Sequence, residues 1–267
     1  MIGSKDKYAL ITGASSGIGY ELARLLSKEG KNLVLIARNK NGLEGMRKDI
    51  EKECGTKVMV LSRDLSDPNA LPEIFDRIAE ENIAVDVLVN NAGFSVYGKF
   101  YETDLRKELE MIQVTIASML YLTKFFLTKM EEDADGWVLN VASTGAFVPV
   151  PLQSVYAASK SFVLNFTQAL ANEMQGTRVS VTCLCPGPTE TPFWEKGNMQ
   201  KGKPANVKMM HAADVAEAGY KALRTGEVIV IPGLRHRWST SLLRIIPEST
   251  ATGLVSRLRN LRRSLKV

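Results

Sequence analysis

Apolar runs of four to seven residues recur along the chain, separated by stretches in which apolar positions fall at helical spacing. Tyr8-Ala9-Leu10-Ile11-Thr12 is the first run, and Asn32 to Ala37 the second. Val58 to Leu61, Val85 to Val89, Trp137 to Ala142, Arg178 to Leu184 and Val228 to Ile231 follow. All read as strands. After the first, Leu22, Leu25 and Leu26 fall on one helix face and Glu21, Arg24 and Lys28 on the other. Helical patterns also begin near Pro68, cover about Thr103 to Met130, run through Tyr156 to about Met174, and span Asp214 to Leu223. Thr189 to Met210 has little regular pattern; it reads as a mobile lid over a cleft or as a surface loop. Strand and helix alternate without a linker as far as Gly233. That predicts an α/β fold with one doubly wound, seven-stranded parallel sheet, right-handed crossovers and helices on both faces. The expected organisation is a catalytic domain over residues 1–233 and a basic amphipathic extension over 234–267. A site is expected at the C-terminal ends of the strands, where Gly13, Asn91, Ser143 and Gly187 fall.

Composition narrows the class only slightly. A chain of 267 residues with 45% hydrophobic and 24% charged residues is ordinary for one large soluble domain. No run of about 18 apolar residues occurs, and residues 1–7 lack the apolar core of a secretory leader. Cys54, Cys183 and Cys185 cannot all pair, and the two histidines, His211 and His236, have no metal-ligand spacing. Reduced thiols in a cytoplasmic compartment, and no metal, are the expectation.

Charge is more informative. From Leu234 to Val267 there are eight Lys and Arg against one Glu, a net +7, which leaves −2 of the total +5 for the rest of the chain. The main body therefore has no electrostatic reason to bind nucleic acid. In the extension Leu254, Leu258, Leu261 and Leu265 recur at helical spacing among Arg257, Arg259, Arg262, Arg263 and Lys266. Upstream, Trp238, Leu242, Leu243, Ile245 and Ile246 sit beside Arg235, Arg237 and Arg244. This pattern suits an anionic membrane surface, an acidic carrier protein or the phosphates of an acyl-CoA. It equally suits a helix packed on the body or on a sister subunit.

Candidate chemistry lies at the strand ends. Gly13-Ala14-Ser15-Ser16-Gly17-Ile18-Gly19 joins the first strand to a helix, where backbone N–H groups and the helix dipole favour a pyrophosphate. The second strand ends in Ala37-Arg38-Asn39, without the acidic residue that would bond a ribose 2′-hydroxyl. Arg38 instead suits a 2′-phosphate, which favours NADP over NAD. Asp64, before Leu65 at the end of the third strand, can accept from an adenine amino group or cap the next helix. Asn90-Asn91-Ala92-Gly93 supplies an amide and small residues that let a ribose pass close by. Tyr156 and Lys160 are one helical turn apart, so an ammonium faces a phenol whose ordinary pKa is ~10. That neighbour favours the phenolate. Ser143, just after an apolar run, can hold a carbonyl oxygen while Tyr156 supplies the proton.

These residues resemble the short-chain dehydrogenase/reductases. Thr12-Gly13-x-x-x-Gly17-x-Gly19, Asn90-Asn91-Ala92-Gly93, Ser143, Tyr156-x-x-x-Lys160 and Pro186-Gly187 occur in that family's order, over roughly Lys7 to Gly233. The resemblance implies a Rossmann-type fold, a homo-oligomer, and hydride transfer between a nicotinamide cofactor and a carbonyl or alcohol. It implies that Tyr156 is the general acid, that Lys160 bonds the nicotinamide ribose and lowers the pKa of Tyr156, and that Ser143 positions the substrate oxygen. Thr189 and Thr191 match positions near the nicotinamide carboxamide. One position departs: many members have an asparagine in the long helix, holding a water that links the lysine to solvent, where this chain has Thr115. Phe94, Val96, Gly145, Ala146, Phe147 and Val148, with Phe193 and Trp194 of the lid, are the expected cleft residues, Val148 being the one best read as core. Mostly apolar, they favour a ketone or aldehyde on an acyl, sterol-like or aromatic substrate. The expectation is an NADPH-dependent reductase, within the subgroup related to 3-oxoacyl reductases and hydroxysteroid dehydrogenases. Its rival is an NADP-binding regulatory or scaffolding protein with little turnover.

Overall fold

The computed structural model describes residues 7–195, 199–203 and 208–243, together with Thr250 and Gly253. The leucine repeat from Leu254 to Leu265 lies outside the described residues.

Seven strands form one parallel sheet: β1 (Lys7–Thr12), β2 (Asn32–Ala37), β3 (Val58–Ser62), β4 (Ala84–Asn90), β5 (Gly136–Val141), β6 (Val179–Leu184) and, at the far edge, β9 (Ile229–Val230). The spatial order is β3-β2-β1-β4-β5-β6-β9, with every pairing parallel. Two further short strands, β7 (Thr189–Glu190) and β8 (Met210–His211), pair with each other away from the main sheet.

The central strands are buried on both sides, which is why their sequences are apolar without alternation. In β1, Ala9 and Ile11 face one layer of helices, and Tyr8 and Leu10 the other. In β2, Leu33 and Leu35 divide from Val34 and Ile36 in the same way. The first layer contains α1 (Gly17–Lys28), α2 (Lys40–Cys54) and α7 (Ala212–Thr225), which bury Leu22 and Leu26, Leu43, Met46 and Ile50, and Val215 and Leu223. The second contains α3 (Ala70–Glu80), α5 (Ser118–Glu132) and α6 (Ser154–Glu173), which bury Leu71, Ile74 and Ile78, Leu122, Phe126 and Met130, and Leu170. A third cluster, with Met119, Val163, Leu164, Cys183 and Cys185, lies beneath the ends of β5 and β6. Cys183 and Cys185 do share a face, with their sulfurs 3.6 Å apart.

The helix expected over Thr103 to Met130 is not uniform. It begins as α4 (Leu105–Ile112), capped by the Asp104 carboxylate, which accepts from Arg106 N. It widens into a π turn over Gln113–Ala117 and continues as α5. Ser118 Oγ shares its proton between Gln113 O and Leu65 O, both at 3.0 Å, tying the π turn to the loop after β3. The patternless region after Thr189 contains two 3₁₀ turns, Pro192–Glu195 and Met199–Gly202. The last described helix, α8 (Leu234–Leu243), follows directly on Gly233.

Strand order reverses between β1 and β4, so chain departs to opposite sides and leaves a crevice at their carboxyl ends. A cleft of about 850 Å³ opens there.

Candidate active site

The floor of the cleft at its β1 end is a glycine turn whose glycine positions leave no room for a side chain. Gly13 and Gly17 both have φ near +60°, the left-handed region that glycine adopts without strain. A Cβ on Gly13 would lie 2.8 Å from Asn91 Nδ2, and one on Gly17 would lie 2.8 Å from Thr191 Cγ2. Asn91 Nδ2 donates to Thr12 O and Gly13 O, at 2.9 and 3.2 Å, and holds the turn against the end of β4. Ser16, at the N-cap of α1, makes no side-chain cap. The first N–H groups of α1 are therefore available to an anion, as Ser15, Ser16, Gly17 and Ile18 line the cleft. Gly19 is buried behind them, where a Cβ would strike Asn91 Nδ2 at 2.4 Å.

Arg38 extends beside this turn. Its side chain is more than half exposed and reaches Asp64 Oδ2 at 3.5 Å. Partial burial would raise the Asp64 carboxyl, but bonds from Ser66 N and Oγ and the nearby Arg38 hold it below the ordinary range. Asp64 caps no helix: α3 begins after Asn69, and Asp64 Oδ1 accepts from Ser66 N and Ser66 Oγ. Asn39 lines the cleft, while its side-chain oxygen caps α2 by accepting from Gly42 N at 3.1 Å. Arg63 also lines the cleft and was not foreseen. The signal was available, because Ala37 pairs with Ser62 in parallel register, so Arg38 and Arg63 leave adjacent strand ends together.

This end of the cleft fits a dinucleotide. Asn91, Ala92, Gly93, Leu65, Pro186, Gly187, Thr189 and Thr191 all line it. The glycine turn leaves room a Cβ would fill, and Arg38 and Arg63 line the same end of the cleft.

Ser143, Tyr156 and Lys160 meet at the centre. Ser143 follows β5 in extended backbone and its Oγ accepts from Gly145 N at 3.0 Å. Tyr156 lies in the first turn of α6 and shares a side-chain hydrogen bond with Ser143. Lys160, one turn on, is 5% exposed and donates from Nζ to Val141 O at 2.7 Å. Its Nζ is 5.9 Å from the centre of the Tyr156 ring. Burial pushes the Tyr156 phenol above its ordinary range, with the Ser143 bond offsetting part of this. The lowering expected from Lys160 is not seen, because the amine is itself buried, at about 8, and turned to a backbone carbonyl. A phenol so placed keeps its proton at neutral pH and is available as a donor.

Thr115 sits in the π turn with its Oγ1 buried and without a hydrogen-bond partner among the described residues. A Cβ on Gly93 would lie 3.5 Å from Lys160 Nζ and 3.8 Å from Thr115 Oγ1. Both side chains border a cavity of about 10 Å³, with Asn90 and Ser118 in its wall. That is room for about one water. A hydroxyl therefore occupies the ground where an asparagine was expected.

The remaining wall is mostly apolar. Phe94, Gly145, Val148, Phe193 and Trp194 line it. Phe193 stacks obliquely 5.8 Å from Tyr156, and Trp194 Nε1 donates to Thr189 O at 2.8 Å. Phe147 does not line the cleft: it packs behind it on the cluster of Met119, Val163 and Cys183. In the 3₁₀ turn Thr144–Phe147, Thr144 and Gly145 line the cleft and Phe147 falls on the core side. Ala146 is buried there too, and Val96 lies off the cleft wall. Val148, read as core, is buried and yet lines the cleft. Gln153 was missed: it is buried, and its Nε2 donates to Ser95 Oγ at 3.0 Å and Met199 Sδ at 3.4 Å, so it joins the lid to the start of α6. The helical extension was expected, but not that His236, Ser239 and Thr240 of α8 close one side of the cleft. His236 packs on Gly187, where a Cβ would meet its ring at 2.6 Å.

Known proteins resemble this chain in sequence and fold. Residues 7–202 match the family model described as short chain dehydrogenase. An uncharacterized oxidoreductase of Staphylococcus epidermidis is 31% identical over 219 residues, covering 82% of this chain and 91% of its own. A short-chain dehydrogenase from Sphingobium yanoikuyae, solved in complex with NADPH, superposes with a TM-score of 0.79 at 27% identity, covering 91% of this chain and 97% of that one. A bulky-bulky ketone specific alcohol dehydrogenase from Comamonas testosteroni superposes with a TM-score of 0.76 at 25% identity, covering 90% and 95%. With the glycine turn, the Ser143, Tyr156 and Lys160 cluster and the sheet order all in place, this chain is an oxidoreductase fold belonging to the short-chain dehydrogenase family.

Proposed function

We propose that the chain is an NADPH-dependent reductase of a ketone or aldehyde carried on an apolar substrate. The observation that carries this reading is the meeting of Ser143, Tyr156 and Lys160 against a wall built from Phe94, Val148, Val150, Phe193 and Trp194. The nicotinamide, when bound, supplies the hydride to the carbonyl carbon. Tyr156 donates its proton to the carbonyl oxygen, and its burial keeps that proton on at neutral pH. Ser143 donates to the same oxygen and aligns it with the phenol. Lys160, charged below about pH 8, would hold the ribose hydroxyls of the bound cofactor.

Preference for NADP is supported by Arg38 and Arg63, and by a β2 end that lacks an acidic residue. The Sphingobium neighbour, with NADPH bound, is consistent with it. An apolar carbonyl is supported by the cleft wall, and the bulky ketones named for the Comamonas enzyme are of the same broad kind. The free cysteines support a reducing compartment such as the cytoplasm. Thr115 and the basic tail were the reasons to consider a cofactor-binding protein without turnover. The Thr115 hydroxyl, turned toward the cavity beside Lys160, favours the catalytic reading.

The test is loss of NADPH absorbance over a chain-length ladder of ketones and 3-oxoacyl thioesters, with NADH as control. Turnover should rise with apolar length and fall by roughly 10²–10⁴ in Tyr156→Phe, with NADPH affinity within about twofold. Tight NADPH binding without turnover on any rung would reject the enzyme and leave the regulatory protein.

A further inference from the structure

Helix α8 has two unlike faces. His236 and Thr240, one turn apart, face the cleft, and Thr240 is buried. Leu234, Trp238 and Leu242 recur every four residues on another side and are 75%, 76% and 60% exposed. Arg235 and Arg237 are exposed beside them. An isolated surface leucine is unremarkable, but a leucine–tryptophan–leucine stripe along about 15 Å of helix is a contiguous apolar strip. Its flanking charge has one sign, and five of the six basic residues after Leu243 lie within the last eleven positions of the chain. Apolar burial with Lys and Arg alongside is the combination that holds a helix in the plane of an anionic bilayer. Trp is the aromatic best suited to the headgroup level.

We infer that the outer face of α8 docks the protein on an anionic lipid surface, with Leu234, Trp238 and Leu242 in the acyl boundary and Arg235 and Arg237 on the headgroup phosphates. Since the opposite face of the same helix walls the cleft, docking sets the cleft beside the lipid. An apolar substrate then partitions along α8 without crossing bulk water. The docking stands on the helix alone; the route for substrate rests on the reductase reading.

The experiment is flotation of the full chain with vesicles of phosphatidylcholine alone and of phosphatidylcholine with phosphatidylglycerol, at low and high salt. Wild-type protein should float with the anionic vesicles at least tenfold more than with the neutral ones, and lose most of this at high salt. Trp238 emission should shift to the blue on binding, a change absent in Trp238→Phe. The double variants Trp238→Glu with Leu242→Glu, and Arg235→Glu with Arg237→Glu, should each reduce flotation tenfold or more while circular dichroism melts match wild type. No flotation of wild type overturns the inference. Flotation that survives both double variants also overturns it, placing the lipid contact on the tail after Leu243. Concentration-dependent self-association, read by light scattering and abolished by the same variants, overturns it in favour of a second copy of the chain. Because flotation needs no turnover, failure of the reductase reading and failure of docking are separately visible.

Discussion

Lys160 carries an amine in surroundings that disfavour charge. Burial holds it at about 8, against 10.5 for an ordinary lysine. Between those values the unfolded chain keeps the proton and the folded chain has lost it, so stability contributed by this residue rises with pH. Below about 8 the full cost of the buried charge is present. Lys160→Met should therefore abolish turnover and yet be more stable than wild type at pH 7. That advantage should shrink from pH 8 towards 10.5, as read by urea melts of the two proteins side by side. Arg38 makes the complementary case at the rim. A charge-assisted bond is worth about 1.5–3 kcal/mol, so Arg38→Ala should raise the KM for NADPH roughly ten- to hundredfold and leave that for NADH nearly unchanged. Equal loss for both cofactors would show that Arg38 serves the fold. The place of these two residues in the cleft could be read because each is defined by a neighbour at fixed spacing: Tyr156 four positions from Lys160, a strand end at Arg38. Gln153 and His236 are defined by segments distant in sequence, Met199 and Gly187, and no local pattern announces such a meeting.

Elements were legible to different degrees for the same reason. Strands buried on both faces leave an apolar signature that needs no partner to be seen, and β1, β2, β4 and β5 lie within a residue or two of the runs that predict them. The π turn left none, since one extra residue in a helix disturbs neither apolar content nor propensity. π turns tend to be kept where a site needs them, and this one carries Thr115 to the cavity next to Lys160. If the Thr115 hydroxyl holds a water there, Thr115→Val should lower kcat about tenfold and leave NADPH affinity unchanged, with Thr115→Ser restoring the rate. A Val variant with full kcat would remove the hydroxyl from the proton path. The segment after Thr189 reads as a lid or loop, but its order escaped the sequence, because it comes from pairing β7 with β8 and from Met199 packing on Gln153, both long-range.

At the scale of the molecule, the seven-stranded parallel sheet and a cleft at its carboxyl ends followed from alternation, because a doubly wound sheet admits few topologies; the strand order itself came from the structure. The extension was readable as amphipathic, but which side of α8 would turn inward was not. Two histidine and threonine positions decide it, and they are chosen by the shape of Gly187 and the cleft rather than by hydropathy.

The packing of α7 against α1 has a consequence for how the protein is made. α1 belongs to the first thirty residues, whereas the helix that shields its flank comes roughly 190 residues later. At ~5–20 residues per second, synthesis leaves that side of α1 without its partner for about 10–40 s. For most of its synthesis the chain thus carries the leucine face of α1, Leu22 and Leu26, without its match. A trigger-type chaperone that holds such surfaces should raise the soluble yield, and a circular permutation that opens the chain in an exposed loop and joins the two ends should change that demand without altering the finished fold.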